Sequence, residues 1–306
     1  MNDVPDYAPR CAGPDPKPRL PRNPFPRGAC DCHAHVFGPA AQFPYAAERI
    51  YTPPDLPWAD YAHMLDTLGI DRAVLVQPSV YGTDNAAMLA ALAAAGPGVR
   101  AVAVVPEDAS DAELEELHRA GVRGLRFNVV DRRGARNVLP VDMLRAVARR
   151  IAPLGWHIEL LINLDEATAF AELMADIPVP VVIGHMGYPH GGARGWTASA
   201  AFADLLRAIE RGRCWIKLTG PYRISGVELP YDDVDEVACK LASTAPERMV
   251  WGTDWPHVMI KKKMPNDADL SDLLERWVPD VRTRTRILVD NPAELYGFEP
   301  GEKIGN

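Results

Sequence analysis

The chain has 306 residues, 47% of them hydrophobic and 24% charged, with a formal net charge of -8 and a pI near 5.5. That acidic balance leaves no basic footprint for nucleic-acid binding, although a pocket can still be locally basic. No apolar run approaches the ~18 residues of a membrane span. Five scattered cysteines (Cys11, Cys30, Cys32, Cys214 and Cys239) do not form a disulfide framework, which points to a reducing, cytoplasmic setting.

Residues 1–28 are rich in proline and charge, without an apolar signal segment, and read as an extended arm over one domain spanning 29–306. From there short β-rich runs alternate with helical patterns. Strands are predicted over 29–37, 72–79, 99–105, 122–130, 156–162, 179–185, 214–219 and 249–253. Helices are predicted over 59–68, 85–95, 111–120, 141–152, 166–175, 200–211, 234–242, 270–277 and 281–289, with a last capped one at 291–296. Eight strands with near-continuous apolar character, each followed by a helix, predict an α/β fold of the (β/α)8 TIM-barrel type. A doubly wound open sheet competes less well, because no G-x-G-x-x-G follows the first strand.

In such a barrel, chemistry sits at the C-terminal strand ends. The polar residues fall there: His33 and His35, Ser79, Arg126 and Asn128, His185, Arg223 just past strand seven, and Asp254. His33 and His35 lie two apart and share a face. Asp254 can take a proton from water as general base. Arg126 alternates with Leu125 and Phe127, so it faces inward and needs an anionic partner such as a substrate carboxylate. Arg132, Arg133 and Arg223 extend that argument, and Ser79 and Asn128 are candidate ligand contacts.

Other polar residues have plainer readings. His157 starts its strand and reads as structural. His190 and His257 read as solvent-facing or supporting, and His63 and His118 as helix surface. Lys217 reads as a supporting partner, and Lys261, Lys262 and Lys263 as a solvated loop. Asp84 and Asn85 read as helix caps, and Trp251 and Trp255 as packing. Cys30 and Cys32 read as core residues rather than metal ligands, on the face opposite the His pair. No G-x-S-x-G elbow offers a serine nucleophile.

Five stretches carry a resemblance: Asp31-Cys32-His33-Ala34-His35-Val36-Phe37-Gly38-Pro39, the run from Gln77 to Asn85, Gly124-Leu125-Arg126-Phe127-Asn128, His185-Met186-Gly187, and Trp251-Gly252-Thr253-Asp254-Trp255-Pro256-His257. Together they resemble the amidohydrolase superfamily, in its branch of small-molecule amidohydrolases and lactonases, and within it the 2-pyrone-4,6-dicarboxylate lactonases. The resemblance implies hydrolytic opening of a small anionic lactone in aromatic-compound catabolism. Asp254 would activate water while His33, His35 and His185 polarise the carbonyl. Arg126, Arg132 and Arg223 would hold substrate carboxylates, with Ser79 assisting. It also implies no cofactor, and Arg126 stands where a residue bridging two metals would be expected. One zinc on His33, His35, His185 and Asp254 stays open. The strand-five tyrosine of those lactonases is absent, since Leu160, Leu161 and Ile162 fill that strand beside Glu159. A sulfo- or carboxymuconolactone, a sugar-acid lactone, a mononuclear-zinc decarboxylase or amidohydrolase, a non-catalytic organic-anion binder and a homo-oligomer therefore remain compatible.

Overall fold

A computed structural model describes residues 8–305. Eight parallel strands form one sheet in chain order: β1 (Cys30–Ala34), β2 (Arg72–Val76), β3 (Val99–Ala103), β4 (Val122–Asn128), β5 (His157–Leu161), β6 (Val181–Ile183), β7 (Cys214–Leu218) and β8 (Met249–Trp251). Backbone bonds from His35 N to Trp255 O and from Asp254 N to His33 O, both 2.8 Å, join the last strand to the first. The sheet is thus a (β/α)8 barrel. Every strand but β4 is buried along its whole length, the sign of parallel strands covered on both faces.

The helices outside are α1 (Trp58–Leu68), α2 (Ala86–Ala95), α3 (Asp111–Arg119), α4 (Val141–Ile151), α5 (Phe170–Ala175), α6 (Ala200–Glu210), α7 (Pro221–Ile224), α8 (Asp235–Thr244), α9 (Asp267–Trp277), α10 (Val281–Thr285) and α11 (Asn291–Tyr296). Their buried stripes face the sheet, as with Tyr61, Met64, Leu65 and Leu68 on α1. Capping boxes start α3 at Ser110 and Glu113 and α9 at Asn266 and Asp269. The expected cap of α2 is only half present. Asp84 accepts from Ala86 N at 3.0 Å, whereas the Asn85 side chain ties the turn to Val104. No helix among the described residues is long and apolar enough to cross a membrane.

Residues 1–7 of the expected N-terminal arm lie outside the described residues, and residues 19–23 run along α9. Arg19 donates to Asp269 and Asp272, each at 2.6 Å, and Asn23 donates to Glu275. At the other end of the barrel, α11 and the residues after it push Leu295, Tyr296 and Phe298 against the interior side chains Val74, Val102, Val182, Trp215 and Val250. Cys30 and Cys32 belong to that same interior cluster, which corrects the expectation that they face away from the His pair. The cause is a slip in the β1–β2 register between Asp31 and Ala34. A bulge lets consecutive residues turn to one side, so Cys32 and His33 both reach the barrel axis.

Candidate active site

Sequence-distant residues meet at the C-terminal mouth of the barrel. A polar cleft there is lined by His35, Tyr51, Ser79, Arg126, Asn128, Asp131, His185, Arg223, Val258 and Met259. Below it lie His33 and Asp254, both fully buried. His33 lies on β1 one residue before its end, His35 follows the strand, and His185 and Asp254 sit in the turns after β6 and β8. Both turns are bent backwards, with φ of 49° at His185 and 65° at Asp254. Left-handed φ in such residues costs on the order of 1–3 kcal/mol and aims the side chain at a site. Two glycines make room. A Cβ on Gly252 would stand 2.6 Å from His33 N, and one on Gly220 would stand 2.8 Å from His185 Nδ1 and 3.0 Å from Asp254 Oδ2.

The two oxygens of Asp254 have different surroundings. Oδ2 accepts from Tyr222 Oη at 2.6 Å and from Arg223 Nε at 2.5 Å. Oδ1 has no hydrogen-bond partner among the described residues, and neither has His33 Nε2. Those two atoms lie 3.6 Å apart, and His35 Nε2 lies 3.7 Å from the same oxygen. Burial works against the Asp254 charge, but the Arg223 guanidinium and then the imidazoles of His185 and His35 outweigh it. The carboxyl is held well below the usual carboxylate range. The imidazoles move the other way. Burial, reinforced by Arg126, brings His35 down to about 3. Burial brings His185 to about 3 against the pull of Asp254. Burial and the Lys217 charge put His33 well below its ordinary value. All three are therefore neutral near pH 7, and each offers one N–H and one lone pair.

Supporting contacts fix which nitrogen does which. His35 Nδ1 lies 2.7 Å from Val76 O, so it donates there and turns the Nε2 lone pair to Asp254. Lys217, entirely buried, donates to Glu159 Oε2 at 2.6 Å and Cys32 O at 2.7 Å, and stands 3.0 Å from His33 Nδ1. Behind Tyr222, His257 Nδ1 lies 3.2 Å from the phenol and His257 Nε2 3.0 Å from Asp267 Oδ1. His257 is thus fully buried and supporting, not solvent-facing.

Arg126 and Arg223 both reach the cleft, as do Ser79 and Asn128. Arg126 donates to Gln77 O at 3.0 Å, and its Nε has no bonded partner among the described residues. The Asn128 carbonyl oxygen accepts from the backbone of Val130 and Asp131, which shapes the loop. Arg132 and Arg133 are exposed on that loop, outside the lining. His157 is buried without a hydrogen-bond partner among the described residues and packs on Tyr296. His63 and His190 are exposed. His118 is half-buried and accepts from Trp156 Nε1 at 2.8 Å. Lys261 and Lys263 are exposed.

Sequence reasoning missed Tyr51, Asp131 and Tyr222. Tyr51 sits in a loop beside Pro53 and Pro54, and its one signal is a large aromatic in an otherwise irregular run. Tyr222 rides on α7, the short helix that Gly220-Pro221 announces, since proline favours a first helical position.

His33, His35 and Asp254 offer ligand atoms within 4.8 Å of one another, and their types and spacing suit one divalent ion. The Lys217 contact counts against His33 in that role. A metal-binding imidazole normally gives its other N–H to an acceptor, whereas Lys217 presents a donor.

A barrel of this order, with His-x-His at the end of β1, His185 after β6 and Asp254 after β8, is the architecture of an amidohydrolase, and the chain belongs to the amidohydrolase family, whose pattern matches residues 30–298. It is 39% identical to a 2-pyrone-4,6-dicarboxylate hydrolase of Comamonas testosteroni, over 91% of this chain and 93% of that protein. It is 38% identical to a 4-sulfomuconolactone hydrolase of Rhizobium radiobacter, over 94% and 96%. Among solved structures it resembles an Acinetobacter baumannii protein named as a "probable 2-pyrone-4,6-dicarboxylic acid hydrolase", with citric acid bound. That pair has a TM-score of 0.77 and 25% identity, over 89% of this chain and all of the other.

Proposed function

We propose that this protein hydrolyses a small anionic lactone of the 2-pyrone-4,6-dicarboxylate kind, in the breakdown of aromatic compounds, with Asp254 as general base and no resident metal. The observation that carries the reading is a bare carboxylate oxygen at the floor of a cleft lined by two buried guanidinium groups, Arg126 and Arg223. The guanidinium groups suit a substrate carboxylate bidentately. Ser79 and Tyr51 add hydroxyl groups beside them. That the Comamonas and Rhizobium relatives are named for lactone hydrolysis, and that the Acinetobacter protein was crystallised with a polycarboxylate, supports this substrate class.

The reaction follows from the placement. Asp254 Oδ1 takes one proton from water while the water oxygen bonds to the lactone carbonyl carbon. The charge that gathers on the carbonyl oxygen is met by an imidazole N–H and the nearby guanidinium groups, and such donors are worth roughly 3–4 kcal/mol each. The ring C–O bond then breaks, and the expelled ring oxygen recovers the proton from Asp254. In the free protein Arg223 holds Asp254 tightly and makes it a weak base. A substrate carboxylate that engages Arg223 loosens that hold and raises the basicity when the substrate is in place.

The test is a panel of lactones: 2-pyrone-4,6-dicarboxylate, sulfo- and carboxymuconolactone, a sugar-acid lactone and a neutral lactone. Turnover is expected for the anionic members and not the neutral one. Equal turnover of the neutral lactone would remove the role of the arginines. A zinc-dependent lactonase, decarboxylase or amidohydrolase is the second reading, favoured by the spacing of His33, His35 and Asp254. Zinc that copurifies in stoichiometric amount, with activity lost on chelation, would establish it. No turnover on any lactone, with binding retained, would leave a non-catalytic organic-anion binder.

A further inference from the structure

We propose that the buried Lys217–Glu159 pair locks His33 as an Nε2–H donor, so that His33, His35 and Asp254 form a cradle for one water molecule. This deepens the hydrolytic reading above and rests on it only for the identity of the water as nucleophile.

Lys217 has no exposed surface and three partners. Glu159 Oε2 at 2.6 Å, Cys32 O at 2.7 Å and His33 Nδ1 at 3.0 Å surround its nitrogen. An ammonium has three protons and no acceptor. Two of the three partners are oxygens that only accept, and the third proton points to His33. Were His33 Nδ1 to carry a hydrogen, two donors would face each other at 3.0 Å and one ammonium proton would be buried with no acceptor, at a cost. Glu159 Oε1 is an alternative acceptor for such a hydrogen, but it lies at 3.4 Å. The shorter contact assigns Nδ1 as the lone pair. An imidazole whose Nδ1 is a lone pair carries its hydrogen on Nε2.

His35 is set in the opposite sense. Its Nδ1 gives a hydrogen to Val76 O at 2.7 Å, leaving Nε2 as a lone pair. Asp254 Oδ1 is an acceptor with no bonded partner among the described residues. The three facing atoms are thus one donor and two acceptors, all within 4.8 Å. One water satisfies them at once. It gives its two hydrogens to Asp254 and His35, accepts the His33 hydrogen on one lone pair, and keeps the other for the carbonyl carbon. A metal ion would need three lone pairs at the same place. Lys217 and Glu159 never touch this water, so they are positioning residues. They also explain why a lysine and a glutamate occupy the dry middle of the barrel, where burying an ion pair is weak evidence for added stability.

The measurement is the tautomer of His33, read by long-range proton–nitrogen NMR on the full-length protein labelled with 15N-histidine, with His33→Gln assigning the signal. The wild-type protein is expected to show Nδ1 bare and Nε2 protonated, with or without substrate. A hydrogen on Nδ1 would overturn the proposal whatever the activity proves to be. Lys217→Met combined with Glu159→Gln removes both charges together. It is expected to release His33 to the other tautomer, lower kcat on the order of 10³-fold with KM little changed, and let added zinc bind. If the double variant folds and keeps both the wild-type tautomer and kcat, the pair merely fills space and the proposal falls. Should that variant not fold, the wild-type spectrum alone still decides.

Discussion

Asp31 and Asp254 stand on either side of the joint between the first and last strands, and both are fully buried, yet their oxygens are treated in opposite ways. Asp31 is filled. It accepts from Tyr61 Oη at 2.9 Å, Thr253 Oγ1 at 2.5 Å, Thr253 N at 2.9 Å and His33 N at 3.1 Å, so it staples α1 and the end of β8 to β1. Asp254 is half-filled. Tyr222 and Arg223 occupy one oxygen, and the other is bare beside two imidazoles. The same residue type at the same depth becomes a clamp when all its lone pairs are used and keeps an open acceptor when one is withheld. Charge differs as well. Burial pushes the Asp31 carboxyl up to about 6 despite its four donors, whereas Arg223 and the imidazoles keep Asp254 well below its ordinary range.

The contrast predicts unequal losses. Asp254→Asn is expected to lower kcat by about 10³-fold or more, the upper part of what a general base supplies, while substrate binding survives. It also strands the buried Arg223 charge, so thermal unfolding should shift to lower temperature. A variant that keeps its turnover would end the assignment of Asp254. Arg126→Met is expected next, raising KM by roughly 10²-fold through the loss of one charge-assisted contact of ~2–3 kcal/mol. A rise no larger for a dicarboxylate than for a neutral lactone would contradict that.

Asp31→Asn should act on stability more than on turnover, and its effect should depend on pH. The folded-state carboxyl, near 6, lies above its ordinary value of 3.8. Asp31 therefore carries no charge penalty below about pH 4, acquires one as pH rises to 6, and carries it in full above that. Relative to the asparagine variant, the wild-type protein should lose ~2–3 kcal/mol across that interval. Urea unfolding of both proteins at several pH values checks this, and parallel curves would show that folding leaves the Asp31 carboxyl at its ordinary value. Asp254 works in the reverse direction, since its depressed carboxyl contributes stability above about pH 4 that is lost as pH falls towards the folded value. The smallest effect is expected from Arg132→Ala. Its side chain is exposed on the loop after β4, so KM should rise by less than ~10-fold and mostly at low salt. A loss as large as that of Arg126→Met would mean that the loop folds down over the substrate.

The eight strands, their order and the end of the barrel where the polar residues gather were readable because parallel strands leave long apolar runs and polar residues clustered at their ends. His33, His35, His185, Arg126, Arg223 and Asp254 meet because a closed barrel gives strand ends no other place to go. What escaped was local. The register slip in β1 turned Cys32 and His33 to one side, and a bulge leaves no mark in a period-two pattern. Tyr222 needed α7, a helix of four residues, too short to show a periodicity. Lys217 and Glu159 lie on β7 and β5, and only their separate inward placement, not any spacing, brings them to His33. The two glycines at Gly220 and Gly252 were visible as residues, but the side chains they make room for come from β1, β6 and β8.

The most direct test is the rate of 2-pyrone-4,6-dicarboxylate opening by wild-type protein after exhaustive chelation, with the residual metal measured in the same sample. Undiminished turnover in metal-free protein is the expected result, because water, His33, His35 and Asp254 already satisfy one another. Turnover that vanishes with the metal and returns in proportion to added zinc would contradict the account.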